Sequence, residues 1–243
     1  MSIDTRISSH LTARIAGLGY LVIIAAGIFA EFFVRGQLVV PGDPSATARN
    51  IIASEQLFRV GIAGDLIMLL CDAVVAIALY LLLKPISKKL ALLATGFRLL
   101  HTAVYGANLF NLVLALLYLT GGSTASGNDV SQTYNYAAAF LGAHQYGYAL
   151  GLIFFGLHCM LLAFLLFKSP LFPRTLGVLI GLASVGYLVD SFARILLLDY
   201  AAYESTLMMV VFIPAFVAEL SLCLWLLIKG APDADRGLNT AAA

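Results

Sequence analysis

The chain has 243 residues, 61% of them hydrophobic and only 11% charged, with a net charge of +1 and a mean hydropathy of +0.96. A water-soluble domain carries about 25% charged residues, so a soluble fold is excluded. There is no block of Lys and Arg long enough to neutralise a run of phosphates, which argues against a nucleic-acid partner.

About 20 apolar residues in a helix cross the hydrocarbon of a bilayer, where exposed backbone groups find no partners. Six stretches meet that length, near residues 11–34, 57–83, 90–119, 143–167, 176–198 and 207–228. They predict an all-α bundle of six transmembrane helices over residues 1–230, followed by a disordered cytoplasmic tail at 231–243. A cleavable signal peptide ending near Ala30 is the rival reading of the first stretch, but it would spoil the alternation of charged joints. Between the first two spans, Asp43 before Pro44 reads as an N-cap with proline at the first helical position, so a short interfacial helix is expected over 44–56. The remaining joints carry Lys84-Pro85, Gly121-Gly122-Ser123, and Ser169-Pro170 followed by Pro173.

Lys and Arg sort to one side of such a bundle. Arg6 and Arg14, Lys84, Lys88 and Lys89, Lys168 and Arg174, and Lys229 and Arg236 alternate with joints that hold Arg35, Arg49 and Arg59, then no basic residue, then Asp199 and Glu204. Positively charged joints stay cytoplasmic, so both termini are expected in the cytoplasm and the chain in the cytoplasmic (inner) membrane.

Ionisable side chains at bilayer depth cost about 2.5–3.5 kcal/mol each on insertion scales and normally face partners inside the bundle. Here Asp65 and Asp72 share one face of the second span. Arg98, His101, Tyr105 and Asn108 form a stripe on the third, and His144, Tyr148, Gly151, Phe155 and His158 form one on the fourth. Counting at about 1.5 Å per residue from the cytoplasmic lysines and arginines puts Asp72, Arg98, His101, His158 and Glu219 at roughly 14–18 Å depth, an inner layer from four helices. Asp65, Asn108, Asp190 and Arg194, with His144, would form an outer layer, and Asp190 and Arg194 are spaced for an ion pair along one helix. Pro214, inside the last span, predicts a kink five residues before Glu219.

The inner layer reads either as a pocket for a small polar or amphipathic solute or protons, or as a closed network that locks helix register. No metal or cofactor is assigned. His101, His158 and Asp72 are the side chains a metal would have to use, but HxxxH and HExxH spacings are absent, and a haem between His101 and His158 has equally thin support. Cys71, Cys159 and Cys223 show no CxxC spacing and read as core residues. Gly147 with Gly151, and Gly177 with Gly181, have the small-xxx-small spacing that lets helices approach.

Several segments resemble a known family. Phe154-Phe155-Gly156-Leu157-His158, the run from Lys168 to Arg174, Leu176-Gly177-Val178-Leu179 and Gly186-Tyr187-Leu188-Val189-Asp190 are similar to the DUF4386 family of bacterial membrane proteins. Phe97-Arg98-Leu99, Leu79-Tyr80 with Lys84-Pro85, and Glu219 with the run from Leu224 to Gly230 extend the resemblance over nearly the whole chain. It implies a six-helix protein of the bacterial cytoplasmic membrane and carries no catalytic residue. The alternatives to a solute pocket are an intramembrane metal-dependent lipid hydrolase and a structural or regulatory membrane subunit; oligomeric state is not legible.

Overall fold

The computed structural model describes residues 8–121 and 129–230. The expected tail at 231–243 lies outside the described residues. Six helices are long and apolar enough to cross a membrane: α1 (Ser9–Leu38), α3 (Glu55–Leu83), α4 (Lys88–Thr120), α5 (Val130–Lys168), α6 (Arg174–Leu196) and α7 (Glu204–Ile228). A seventh, α2 (Pro44–Ala53), bridges the first pair. No strand occurs among the described residues.

Side chains cap the helices where the polar punctuation falls. Asp43 Oδ1 accepts from Ala46 N at 2.8 Å with Pro44 in the first turn, while Ser8 caps α1, Ser87 caps α4 and Asp129 caps α5. Each removes one of the orphan donors at a helix start.

The spans form a ring. Each packs against its sequence neighbours, α1 on α3, α3 on α4, α4 on α5, α5 on α6 and α6 on α7, and α7 returns to pack on α1. Leu18, Leu70, Phe110, Leu182, Val185 and Val210 are among the large apolar side chains left facing outward. Helices that are apolar on both inner and outer faces suit a lipid environment, where only the inner face needs a protein partner. One close approach depends on glycine: a Cβ at Gly177 would stand 2.8 Å from the Ala163 carbonyl oxygen, so α6 meets the α5 backbone there.

Two features extend the expected outline. α5 starts at Val130, well before 143, because the segment after Asp129 carries Ser, Gln, Thr, Tyr and Asn and lacks an unbroken apolar window. Its Ala137 and Leu141 nevertheless pack with Ile51 of α2, Phe58 of α3, and Leu112 and Leu116 of α4. This satellite core buries one face of α2, with Thr47, Ala48 and Ile51 all buried, so α2 plugs that end of the bundle. The last turns of α1, Phe29–Arg35, are π-helical. The wider turn keeps Arg35 in the helix and presents it to α3, correcting its expected place in a joint.

Candidate functional site

The deepest polar group is built around Arg98 of α4, which is 0% exposed. Its Nε and Nη2 lie 2.9 and 2.6 Å from Asp72 Oδ1 of α3, and its Nη1 donates to the Tyr20 hydroxyl of α1 at 2.8 Å. The guanidinium also sits over the rings of Tyr20 and Phe155, 4.8 and 5.2 Å from their centroids. Asp72 Oδ2 accepts from the Thr102 hydroxyl at 2.6 Å. Both members of this desolvated pair are thus hydrogen-bonded, which a buried ion pair requires.

His158 of α5 closes the network. One ring nitrogen, Nδ1, lies 2.9 Å from the Ala94 carbonyl oxygen, so it must carry the proton and donate; Nε2 is then free to accept from Arg98 Nη1 at 3.1 Å. Both nitrogens are engaged, so His158 has no lone pair left for a metal or haem iron. Among the described residues no group of three His, Cys, Asp or Glu side chains is arranged as metal ligands.

Beside this pair lies a cavity of about 80 Å³, bordered by Ile23, Met68, Asp72, His101, Tyr148, Phe155, Tyr187 and Glu219 with two leucines, Leu69 and Leu152. Every span contributes to that wall, so the cavity lies on the axis of the ring. Glu219 of α7 does not join the Arg98 pair, contrary to the closed network read from the sequence. It accepts a very short hydrogen bond from the Tyr187 hydroxyl of α6 through Oε1. Its other oxygen has no protein partner among the described residues, and no Lys or Arg pairs with it there. α7 runs as one helix through Pro214 to deliver this carboxylate. His101, 6% exposed, stacks against Phe155 and Tyr105, and its Nδ1 has no hydrogen-bond partner. A Cβ at Gly151 would come 3.3 Å from that nitrogen, so the small residue on α5 makes room for the imidazole.

The structure therefore brings Asp72, Arg98, His101, His158 and Glu219 to one place, in two linked parts. One is a buried ion-pair network, in which Arg98 Nη2 meets Asp72 by charge but without a hydrogen bond, the other an open cavity with Glu219 and His101 on its wall. Tyr20, Thr102 and Tyr187, which complete both parts, are not signalled by charge; only the recurrence of Tyr187 beside Asp190 in a family segment could have pointed to it.

The expected outer layer divides into separate groups. Asp65, 0% exposed, accepts from Arg35 Nη1 at 2.5 Å and from the Tyr105 hydroxyl at 2.9 Å, and Arg35 also pairs with Glu31 at 2.8 Å. Asn108 Nδ2 donates to the His144 carbonyl oxygen at 2.8 Å and lies 3.0 Å from His144 Nδ1. Asp190 and Arg194 do not form the expected pair. Arg194 turns to Glu204 at 2.8 Å, because the start of α7 is close enough to offer a carboxylate, and Tyr200 bridges the two, donating to Asp190 at 2.7 Å. Burial first, then the Asp190 hydrogen bond, push the Tyr200 phenol up to about 12, so it holds its proton and donates.

The family described as "Domain of unknown function (DUF4386)" matches residues 15–230. The chain belongs to this family. The chain is also similar to an "Uncharacterized protein" of Archaeoglobus fulgidus, 32% identical over 169 residues that cover 70% of this chain and 83% of that protein. No solved structure matches. The matched DUF4386 region takes in all six spans, apart from the first turns of α1, and every residue of the cavity wall. Its six apolar helices make this chain a multi-pass membrane protein.

Proposed function

We propose that the protein binds, and passes along the axis of its bundle, a small polar solute or protons. The single observation that carries this is the axial cavity, whose wall combines apolar and aromatic side chains with the Glu219 carboxylate, one oxygen of which has no protein hydrogen bond among the described residues. Ionisable side chains that face a cavity inside a membrane bundle mark solute or proton paths. At about 80 Å³, against roughly 300–1,000 Å³ for pockets of drug-sized ligands, it fits an occupant of only a few heavy atoms. The buried Arg98–Asp72 network forms the floor of the site. The setting is the cytoplasmic membrane with both termini inside, supported by the sorting of Lys84, Lys88, Lys89, Lys168, Arg174 and Lys229 to one end of the helices.

The test fills the cavity. Purified protein in detergent is screened by thermal unfolding against cationic, anionic and neutral solutes of a few heavy atoms, beside Leu152→Trp, which projects bulk into the space. A solute that raises the midpoint of the wild type and leaves Leu152→Trp unmoved supports the site. If nothing in any charge class shifts the wild type, the reading fails.

A further inference from the structure

The wall of the axial cavity has a definite electrostatic sign. Its charged members are Asp72 and Glu219, and no Lys or Arg borders it. Asp72 is already matched by Arg98 and Thr102, so its charge is spent. Glu219 is not: its one protein partner among the described residues is the neutral Tyr187 hydroxyl. An anion brought here would meet that carboxylate at close range, and no Lys or Arg among the residues that line the cavity would receive it.

The rest of the wall is aromatic. Phe155 and Tyr187 meet edge to face at 5.3 Å between centroids, and Tyr148 lines the same space. Rings present negative faces, which attract a desolvated cation. The molecule already uses this chemistry, since the Arg98 guanidinium lies over Phe155 and Tyr20. His101 adds its imidazole ring to the same wall.

We infer that the occupant of the cavity is a small monovalent organic cation of the ammonium class, held by Glu219 among the rings of Tyr148, Phe155 and Tyr187. This rests on the solute-binding reading above and names the ligand class for it.

Methylammonium chloride is the probe, titrated into the purified full-length protein by calorimetry, against sodium chloride at equal ionic strength, sodium acetate and methanol. Saturable methylammonium binding is expected, weakened at least tenfold in Glu219→Gln. Glu219→Asp keeps the charge one methylene further back and should bind with intermediate affinity, which gives a second measure if the glutamine variant does not fold. Equal binding by wild type and either Glu219 variant would overturn the assignment. Binding of acetate or methanol, but not methylammonium, that Leu152→Trp abolishes would overturn the ligand class and leave the pocket standing. Silence from every probe in the wild type would overturn both.

Discussion

Asp65 and Asp72 share one face of α3, and each is met by an arginine and a hydroxyl from its neighbours. Asp65 takes Arg35 of α1 and Tyr105 of α4; Asp72 takes Arg98 and Thr102, both of α4. The parts are nearly the same, yet the surroundings differ. The Arg35 side chain is 13% exposed and shares its charge with Glu31, which is 54% exposed, whereas the Arg98 side chain is 0% exposed and turns its Nη1 to Tyr20 and His158. The outer pair ties α1 to α3 near the satellite core. The inner one forms the floor of a cavity. The same ion-pair chemistry thus serves as a strap at one depth and as the wall of a site at another, and what separates the two uses is access to solvent and the empty space alongside.

Breaking each pair in turn measures that difference. Arg98→Met should have the largest effect, about 3–5 kcal/mol of unfolding free energy, because it strands Asp72 as a buried unpaired carboxylate. The double variant Asp72→Leu/Arg98→Met should recover most of that loss, since an apolar pair leaves no charge to desolvate. Reversible unfolding in mixed detergent micelles reads both. If the double variant is no more stable than Arg98→Met alone, the penalty does not come from the stranded charge.

Arg35→Met should cost less, roughly 1–3 kcal/mol, because the Arg35 side chain is 13% exposed, so water can follow into the space it leaves and solvate Asp65. A loss as large as that of Arg98→Met would erase the distinction between the two regions. Tyr187→Phe sharpens it from the other side. It removes a single hydrogen bond to Glu219, worth roughly 1.5–3 kcal/mol for a charged acceptor, and frees Oε1 for a ligand. Methylammonium affinity should therefore change in this variant by severalfold, while Arg35→Met leaves it within twofold; calorimetry on the pair compares them.

Much of this arrangement is legible in the letters, and the gaps have physical reasons. The spacing of Asp65 and Asp72 places them on one face, and the stripe from Arg98 to Asn108 follows from the same periodicity, because a charge inside an apolar run stands out. Hydroxyls do not. Tyr20, Thr102 and Tyr187 carry no charge and are ordinary in a membrane helix, so their partners cannot be read without coordinates. Arg35 sits near the end of an apolar run and reads as a loop charge; the π-helical turn that keeps it inside the helix has no sequence signature here. The return of α7 onto α1 is a long-range closure that no local pattern encodes, and it is this closure that sets Glu219 across the cavity from Asp72.

The smallest effect belongs to the pair that the sequence misassigned. Asp190 and Arg194 are spaced for an intrahelical bridge, but Arg194 reaches Glu204 across the α6–α7 joint, with a side chain 20% exposed facing one 47% exposed. Exposed pairs contribute about 0–1 kcal/mol once solvent screening and side-chain entropy are counted. Glu204→Gln should therefore leave the unfolding midpoint nearly unchanged. Arg194 has other company, since its guanidinium lies 4.2 Å from the Tyr200 ring centroid and donates to the Tyr200 hydroxyl. Arg194→Gln should cost slightly more than Glu204→Gln, and the gap between them should close in a Tyr200→Phe background if the hydroxyl is what holds the guanidinium. A gap that survives the loss of that hydroxyl would assign the contact to the ring face instead, making Arg194 a cation held by aromatic surface, as Arg98 is over Tyr20 and Phe155, but at the solvent end of the helices.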